Sequence, residues 1–187
     1  APICRWRIGA IAVDLMPTDE AILGFSNRWD AEAAASAVRL ALPRGTQIHL
    51  ISAPVFLATK FEAFLSRGKA DLLSSHDLED IINVVEGRLS IVAEIGVVKA
   101  ALREYLALQF ANLIASPEYE NTLPGLVAHD DLHEQRLSAV AALIAEIAAP
   151  AGELGAALEE TRADLAAGRF VNESPAAHLK RITKEKK

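Results

Sequence analysis

The sequence predicts an α+β chain that is predominantly α, with a small strand-bearing segment ahead of a helical bundle. Three observations carry that expectation. The first 53 residues contain three short stretches with the period-two alternation of strands. From residue 54 onward apolar residues recur at i, i+3, i+4 and i+7, which lines one face of a helix. Apolar residues fill 51% of the 187 positions and aromatics only 5%, so the core is expected to consist of Ala, Leu, Ile and Val and to be large enough to exclude disorder. Composition and periodicity divide the chain into a strand-bearing part over 1–53, a helical domain over 54–149 and a helical tail over 150–187.

The first two strands lie in "CRWRIGAIAVDLMP", on either side of Gly9-Ala10. On the second, Ile11, Val13 and Leu15 point one way and Ala12, Asp14 and Met16 the other. Arg5 and Arg7 alternate with Trp6 and make a small basic edge, a device edge strands use against aggregation. "TQIHLIS" (46–52) is the third strand. A lone hairpin is marginal in water, and three short strands make a poor sheet for this length of chain. A further strand-bearing part is therefore expected ahead of Ala1.

The helical region opens with Ser52 as N-cap and Pro54 in the first turn, where proline is tolerated. Phe56, Leu57, Phe61, Phe64 and Leu65 form its apolar stripe, and "SRGKAD" ends it. Ser74 or Ser75 caps the next helix, Leu78, Ile81, Ile82 and Val85 form its buried face, and Gly87 is expected to close it as a C′ glycine. Residues 90–115 read as one or two helices broken near Gly96, "SPEYENTLPGLVAHDD" as a loop with a helical turn, and 132–148 as another helix. Beyond Pro150 the composition becomes Glu/Ala-rich, with a stop at Gly168 and a basic end.

A net charge of −6 gives no general attraction to nucleic acid or anionic lipid. The single cysteine, Cys4, excludes an intrachain disulfide and a cysteine zinc cage and fits a reducing, cytoplasmic setting. No apolar run reaches the ~18 residues of a membrane span. Phosphate-loop and dinucleotide-loop patterns are absent from the sequence, and Ser26 in "GFSNRW" lacks the Gly-x-Ser-x-Gly elbow. Arg28 and Trp29 form either a cation–π or substrate surface, or simply part of a loop packed on the sheet, the default reading.

The charged stretch over 60–80 carries the strongest chemical signal. Lys60 and Arg67 are two turns apart and share a helix face, and Asp77 and Asp80 share another. One reading is structural: a snorkelling lysine, and carboxylates placed at a helix N-terminus, where the macrodipole favours them. The other joins them into an ion-pair clamp between consecutive helices, with one cation left for a phosphate. Asp77 and Glu79 form an Asp-x-Glu pair, but helical spacing sends them to nearly opposite faces, which rejects them as a metal pair. His76 and Asp80 have an i, i+4 ligand spacing with no further ligand, and His49, His129, His133 and His178 are scattered.

The strings "AVDLMPTDEAILGFSNRW", "HLISAPVFLATKFEAFLSRGKADLLSSHDLEDIINVVEGR" and "TLPGLV" resemble bacterial nucleotidyltransferase-fold proteins. They are more closely similar to the AbiEii/AbiGii toxin type, a branch of the DNA-polymerase-β-like superfamily, over roughly residues 1–149. The resemblance implies that the hairpin and third strand are the remnant of a nucleotidyltransferase sheet. It gives Asp14 the role of third catalytic carboxylate and ligand to Mg2+ or Mn2+. Lys60, with Arg67 on its face, would bind the triphosphate of an NTP substrate, and Asp77 and Asp80 would be a supporting acidic pair. The family's Gly-Ser turn and Asp-x-Asp strand do not occur before Asp14, so the chain is expected to be the C-terminal portion of a longer protein and inactive as given. The implied activity is nucleotidyl transfer to an RNA or protein acceptor in a toxin–antitoxin or phage-defence setting. Partners would include a cognate antitoxin or toxin, with neither DNA nor membrane involved. The alternative is a catalytically inactive binding module acting as a partner or antitoxin. The tail has a compositional likeness to the C-terminal halves of small antitoxins. Leu154, Leu158 and Leu165 with Ala157 and Ala166 form its thin apolar stripe, and Phe170 and Val171 are its anchor. It is expected to dock weakly on the body and to stay free to engage a partner.

Overall fold

The computed structural model describes residues 4–15, 17–23, 26–66 and 71–149. Arg67 and the 150–187 tail, both singled out above, lie outside the described residues. The chain divides into two compact units, Ala1–Ile51 and Ser52–Lys187. The described residues contain eight helices and four short strands, an α+β composition dominated by helix.

In the first unit, β1 (Arg5–Ile8) and β2 (Ile11–Asp14) form an antiparallel hairpin whose register sets Trp6 opposite Val13 and Ile8 opposite Ile11. Gly9 sits in the turn at φ +62°, a conformation that costs a residue without a Cβ nothing. Two helices follow, α1 (Glu20–Leu23) and α2 (Asp30–Ser36). Trp29 and Ala33 are the buried apolar residues here, and the Arg28 guanidinium lies 5.1 Å from the Trp29 ring centroid. That distance matches the cation–π alternative.

The stretch 46–52 differs from expectation. Its strand, β4 (Gln47–Leu50), pairs with β3 (Val38–Ala41), so the sheet is two hairpins rather than a hairpin plus one strand. The cause is the turn Pro43-Arg44-Gly45. Arg44 and Gly45 both take positive φ (77° and 85°), and Leu42 N–H donates to the Thr46 carbonyl at 2.8 Å, which folds the chain back on itself. Both hairpins are amphipathic. Trp6, Ile8, Ile11 and Val13 share one face of the first, opposite Arg5, Arg7 and Asp14. Val38, Leu40, Ile48 and Leu50 share one face of the second, opposite Arg39, His49 and Gln47. These apolar faces are largely open, with Trp6 61% and Val38 63% exposed.

The second unit holds the main core. α3 (Ala53–Ser66) carries Pro54 in its first turn and buries Val55, Leu57, Ala58, Phe61 and Phe64, while Leu65 stays exposed. α4 (His76–Gly87) starts at the Ser75 cap, whose hydroxyl accepts from Leu78 N–H at 3.3 Å. All four residues of its expected stripe, Leu78, Ile81, Ile82 and Val85, are buried, each contributing about 1.5–3 kcal/mol. Gly87 is the last helical residue with Arg88 as C-cap, and its φ is not positive, so it is not the left-handed C′ stop the sequence suggested. Arg88 instead turns the chain and pairs with Glu94 at 2.7 Å, which also accepts from Ser90.

α5 (Ile91–Gly96) and α6 (Ala100–Ala115) are separated by the break expected near Gly96. α7 (Tyr119–Leu126) is a two-turn helix containing Pro124, longer than the single helical turn expected within this loop, because Tyr119, Thr122 and Leu123 turn into the core. α8 (His133–Ala148) matches its expected span within one residue. α3 packs on α4, α5 and α6, and α8 packs on the same three, so α4, α5 and α6 bridge the two. Phe61 and Phe110 join α3 to α6 edge-to-face, with ring centroids 4.9 Å apart at 86°.

Tyr119 and Thr122 are buried with side-chain hydroxyls that lack a hydrogen-bond partner, and burial pushes the Tyr119 phenol above its ordinary pKa. A desolvated donor without an acceptor is costly. Tyr119→Phe is expected to raise unfolding stability by about 1 kcal/mol, and Ile82→Ala to lower it by about 2–5 kcal/mol, both read from urea midpoints at constant m.

Candidate functional site

The sequence-predicted residues fall in two places, one in each unit. In the second, the clamp forms. Lys60 projects from α3 one turn after Phe56, and its ammonium lies 5.6 Å from the Phe56 ring centroid. It meets Asp77 Oδ1 at 3.1 Å and Asp80 Oδ2 at 2.5 Å. The geometry follows from local folding. Ser75 fixes where α4 starts, so Asp77 falls in the first turn and Asp80 one turn later on the same side. The apolar face of α4 packs on α3, and this brings that flank to Lys60.

The clamp is half-shielded: the side chains of Lys60 and Asp77 are 24% and 16% exposed, while Asp80 is 46% exposed. Burial opposes the Lys60 ammonium. The bonds from Asp80 and Asp77 outweigh that burial and leave its pKa above the ordinary lysine value. One ammonium between two carboxylates carries a formal excess of one negative charge, so the trio holds Lys60 in place and does not by itself attract a phosphate. Arg67, expected on the same helix face, lies outside the described residues.

In the first unit Asp14 ends β2 and stands opposite Arg5 in the ladder. Its two oxygens accept from Arg5 Nε and an Arg5 terminal nitrogen, both at 2.7 Å, a bidentate fork. Both side chains are about half exposed. The Arg5 hydrogen bond, working against a small burial effect, holds the Asp14 carboxyl below its ordinary range. Sequence reasoning missed this partner, yet it was readable: a hairpin that turns at Gly9-Ala10 pairs positions summing to about 19.

The divalent metal implied by the resemblance does not fit these residues as placed. Both Asp14 oxygens face a guanidinium, and among the described residues no three His, Cys, Asp or Glu side chains gather where they could hold a metal. His76 bonds to Glu79 at 2.8 Å rather than facing Asp80, which raises its pKa and leaves it an exposed helix-start pair. His129 and His133 are less scattered than the sequence suggested, for their rings stack at 4.3 Å with a 28° tilt. Stacked rings direct their in-plane lone pairs almost parallel, so the pair does not converge on one ion. Both Nδ1 atoms instead lie 3.1 Å from backbone carbonyls, of Val127 and Ala128, at the start of α8. Arg136, also unforeseen, ties Glu86 of α4 to Asp130, each at 3.1 Å. Among the described residues no helix is long and apolar enough to cross a membrane.

The clamp has a measurable consequence. Lys60→Met leaves Asp77 and Asp80 facing each other without a cation. It is expected to cost about 1–2 kcal/mol, between the values for surface and buried pairs. Because the folded pKa of Lys60 is raised, its contribution is complete below the ordinary lysine value of about 10.5 and is lost as pH rises through the folded value. The stability gap between the native chain and Lys60→Met should therefore be level from pH 7 to about 10 and close above it, as read by urea titrations at each pH.

The chain shows no significant match to a protein-family model, a curated protein or a solved structure.

Proposed function

We propose that this chain belongs to a nucleotidyltransferase of the AbiEii/AbiGii type, which transfers a nucleotide from an NTP to an RNA or protein acceptor in a cytoplasmic toxin–antitoxin or phage-defence system. The observation that supports this reading is the convergence of Lys60 with Asp77 and Asp80, residues 17 and 20 positions further along the chain. These are three of the charged positions of the string that carries the resemblance, and they form one spatial unit. In this reading Asp77 and Asp80 are positioning residues that fix the Lys60 ammonium toward the triphosphate, and Arg67 adds the second positive charge. Asp14, released from Arg5, accepts the proton of the acceptor hydroxyl. That oxygen then bonds to the α-phosphorus, the bond to the β-phosphate oxygen breaks, and pyrophosphate leaves. No step is routed through Mg2+ or Mn2+, because both Asp14 oxygens face Arg5 and, among the described residues, no three His, Cys, Asp or Glu side chains gather round one point.

One observation favours the second reading, a catalytically inactive module that binds a toxin or antitoxin partner. Both Asp14 oxygens are engaged by the Arg5 fork, so it is a structural rivet of the hairpin as it stands.

The test is label transfer from each α-labelled NTP, with Mg2+ present, to RNA or protein by the protein in its encoded full length. The coding DNA upstream of Ala1 is read for a Gly-Ser turn and an Asp-x-Asp strand. Transfer is expected, with Asp14→Asn lowering it at least about 100-fold without changing the melting temperature. Lys60→Met should raise KM for the NTP more than it lowers kcat. Undiminished transfer by Asp14→Asn sinks its catalytic role. Absence of transfer, together with tight binding of a co-encoded partner, establishes the binding module.

A further inference from the structure

We propose that α7 is a hinged flap, which opens as one unit while the rest of the helical bundle stays folded and so uncovers an apolar floor on α4 and α6. The proposal is independent of the nucleotidyl-transfer reading. Its first support is polar. Tyr119 and Thr122 are one turn apart and share the inner face of α7. Tyr119 is 2% exposed and Thr122 5% exposed, and neither hydroxyl has a hydrogen-bond partner. Beneath them lies a small void. Leu72, Leu78, Ile82 and Leu113 form its floor, and Tyr119, Thr122 and Leu123 form much of its roof. The void is too small to hold a water molecule, so solvent does not reach the hydroxyls while α7 is closed. Opening gives both hydroxyls to water, and that recovered hydration opposes the apolar burial that holds the helix down. The void adds to the imbalance, because side chains that line a gap lose the dispersion contacts of close packing.

The helix is also lightly built. Glu118 is its N-cap residue and forms no side-chain cap bond. Pro124 has no N–H to give to the Glu120 carbonyl, and Gly125, a poor helix former, follows it. Two turns with these residues have little stability of their own and depend on the surface they dock on. Among the described elements that surface is chiefly α6 and α4. Both ends can serve as hinges, since residues 116–118 and 127–132, which join α7 to α6 and α8, are not helical. The floor beneath the flap includes Leu78 and Ile82, two of the four residues whose burial sets how α4 sits on α3. An opening of α7 therefore reaches the helix that carries Asp77 and Asp80.

Native-state hydrogen exchange on the full chain tests this. The amides of residues 122–126 are expected to exchange at least about tenfold faster, relative to their free-peptide rates, than amides in the middle of α4 and α8. Ile144→Val, in the buried face of α8, lowers global stability. It should speed exchange in α4 and α8 by roughly two- to tenfold and leave that of α7 unchanged, because the flap opens without unfolding α8. Tyr119→Phe combined with Thr122→Val removes both stranded hydroxyls at nearly constant side-chain volume. It should slow exchange in α7 by about fivefold or more, with α8 still protected as proof that the bundle has folded. The proposal is overturned if the α7 amides speed up in step with those of α8 in Ile144→Val. It is equally overturned by α7 amides as protected as those of α8 in the native chain, or by α7 rates that do not slow when both hydroxyls are removed.

Discussion

The packing of α4 on α3 is the constraint from which the rest of the second unit follows. Leu78, Ile81, Ile82 and Val85 are all buried on one face of α4, so its rotation about its own axis is fixed. With rotation fixed, the flank that carries Asp77 and Asp80 has one place to go, beside Lys60 of α3. The opposite end of α4 presents Glu86 to Arg136, which ties the helix to α8. The polar contacts are consequences of an apolar register, and each adds less than the burial that positions it.

That order of causes explains what could be read from the sequence. The helix stripes over 53–66, 76–87 and 133–148 were legible because several large aliphatic residues repeat at helical spacing, and one buried face follows from such a repeat. The clamp was legible for the same reason: two short-linked helices with opposite charges have few ways to pack. The second hairpin was not. Val38, Leu40 and Ala41 follow an Ala-rich run that reads as helix, and the signal that separates them is the Arg44-Gly45 turn, where a non-glycine residue takes positive φ. The extent of α7 was obscured by Pro124, which lies past the first turn and forgoes the bond to the Glu120 carbonyl, a cost offset by the burial of Tyr119 and Leu123. Gly87 shows the opposite error. A glycine at a helix end invites a left-handed cap, yet the Arg88–Glu94–Ser90 network ends the helix by other means.

The two units handle their apolar surface differently. The helical unit buries most of its large apolar residues, with Leu65, Leu73, Leu89, Val97, Leu108 and Leu132 as exposed exceptions among the described residues. In the strand unit the alternation of both hairpins is clean, so each has a coherent apolar face, yet most of those side chains are exposed. Two-stranded ribbons have no second layer of their own, and period-two patterning is a statement that a covering layer belongs there. The Arg5–Asp14 fork lies on the polar side of the first ribbon, where it pins the register without competing with whatever covers the other face.

The same reasoning separates position from purpose at the two carboxylate sites. A carboxylate whose oxygens are both engaged stabilises its fold through those bonds, and it becomes reactive only when its partner withdraws. Asp80 is nearly half exposed, so water shares the pair and the Lys60 ammonium is not sealed from solvent. Asp14 is gripped by a fork but lies at the surface, where a guanidinium can rotate away at little cost because water replaces its bonds. The exposed site is thus the one whose carboxylate can be freed, and the half-buried site is the one whose cation is held. A freed carboxylate can take up a proton, whereas a held ammonium can only present its charge, so the two sites differ in what their side chains are able to do.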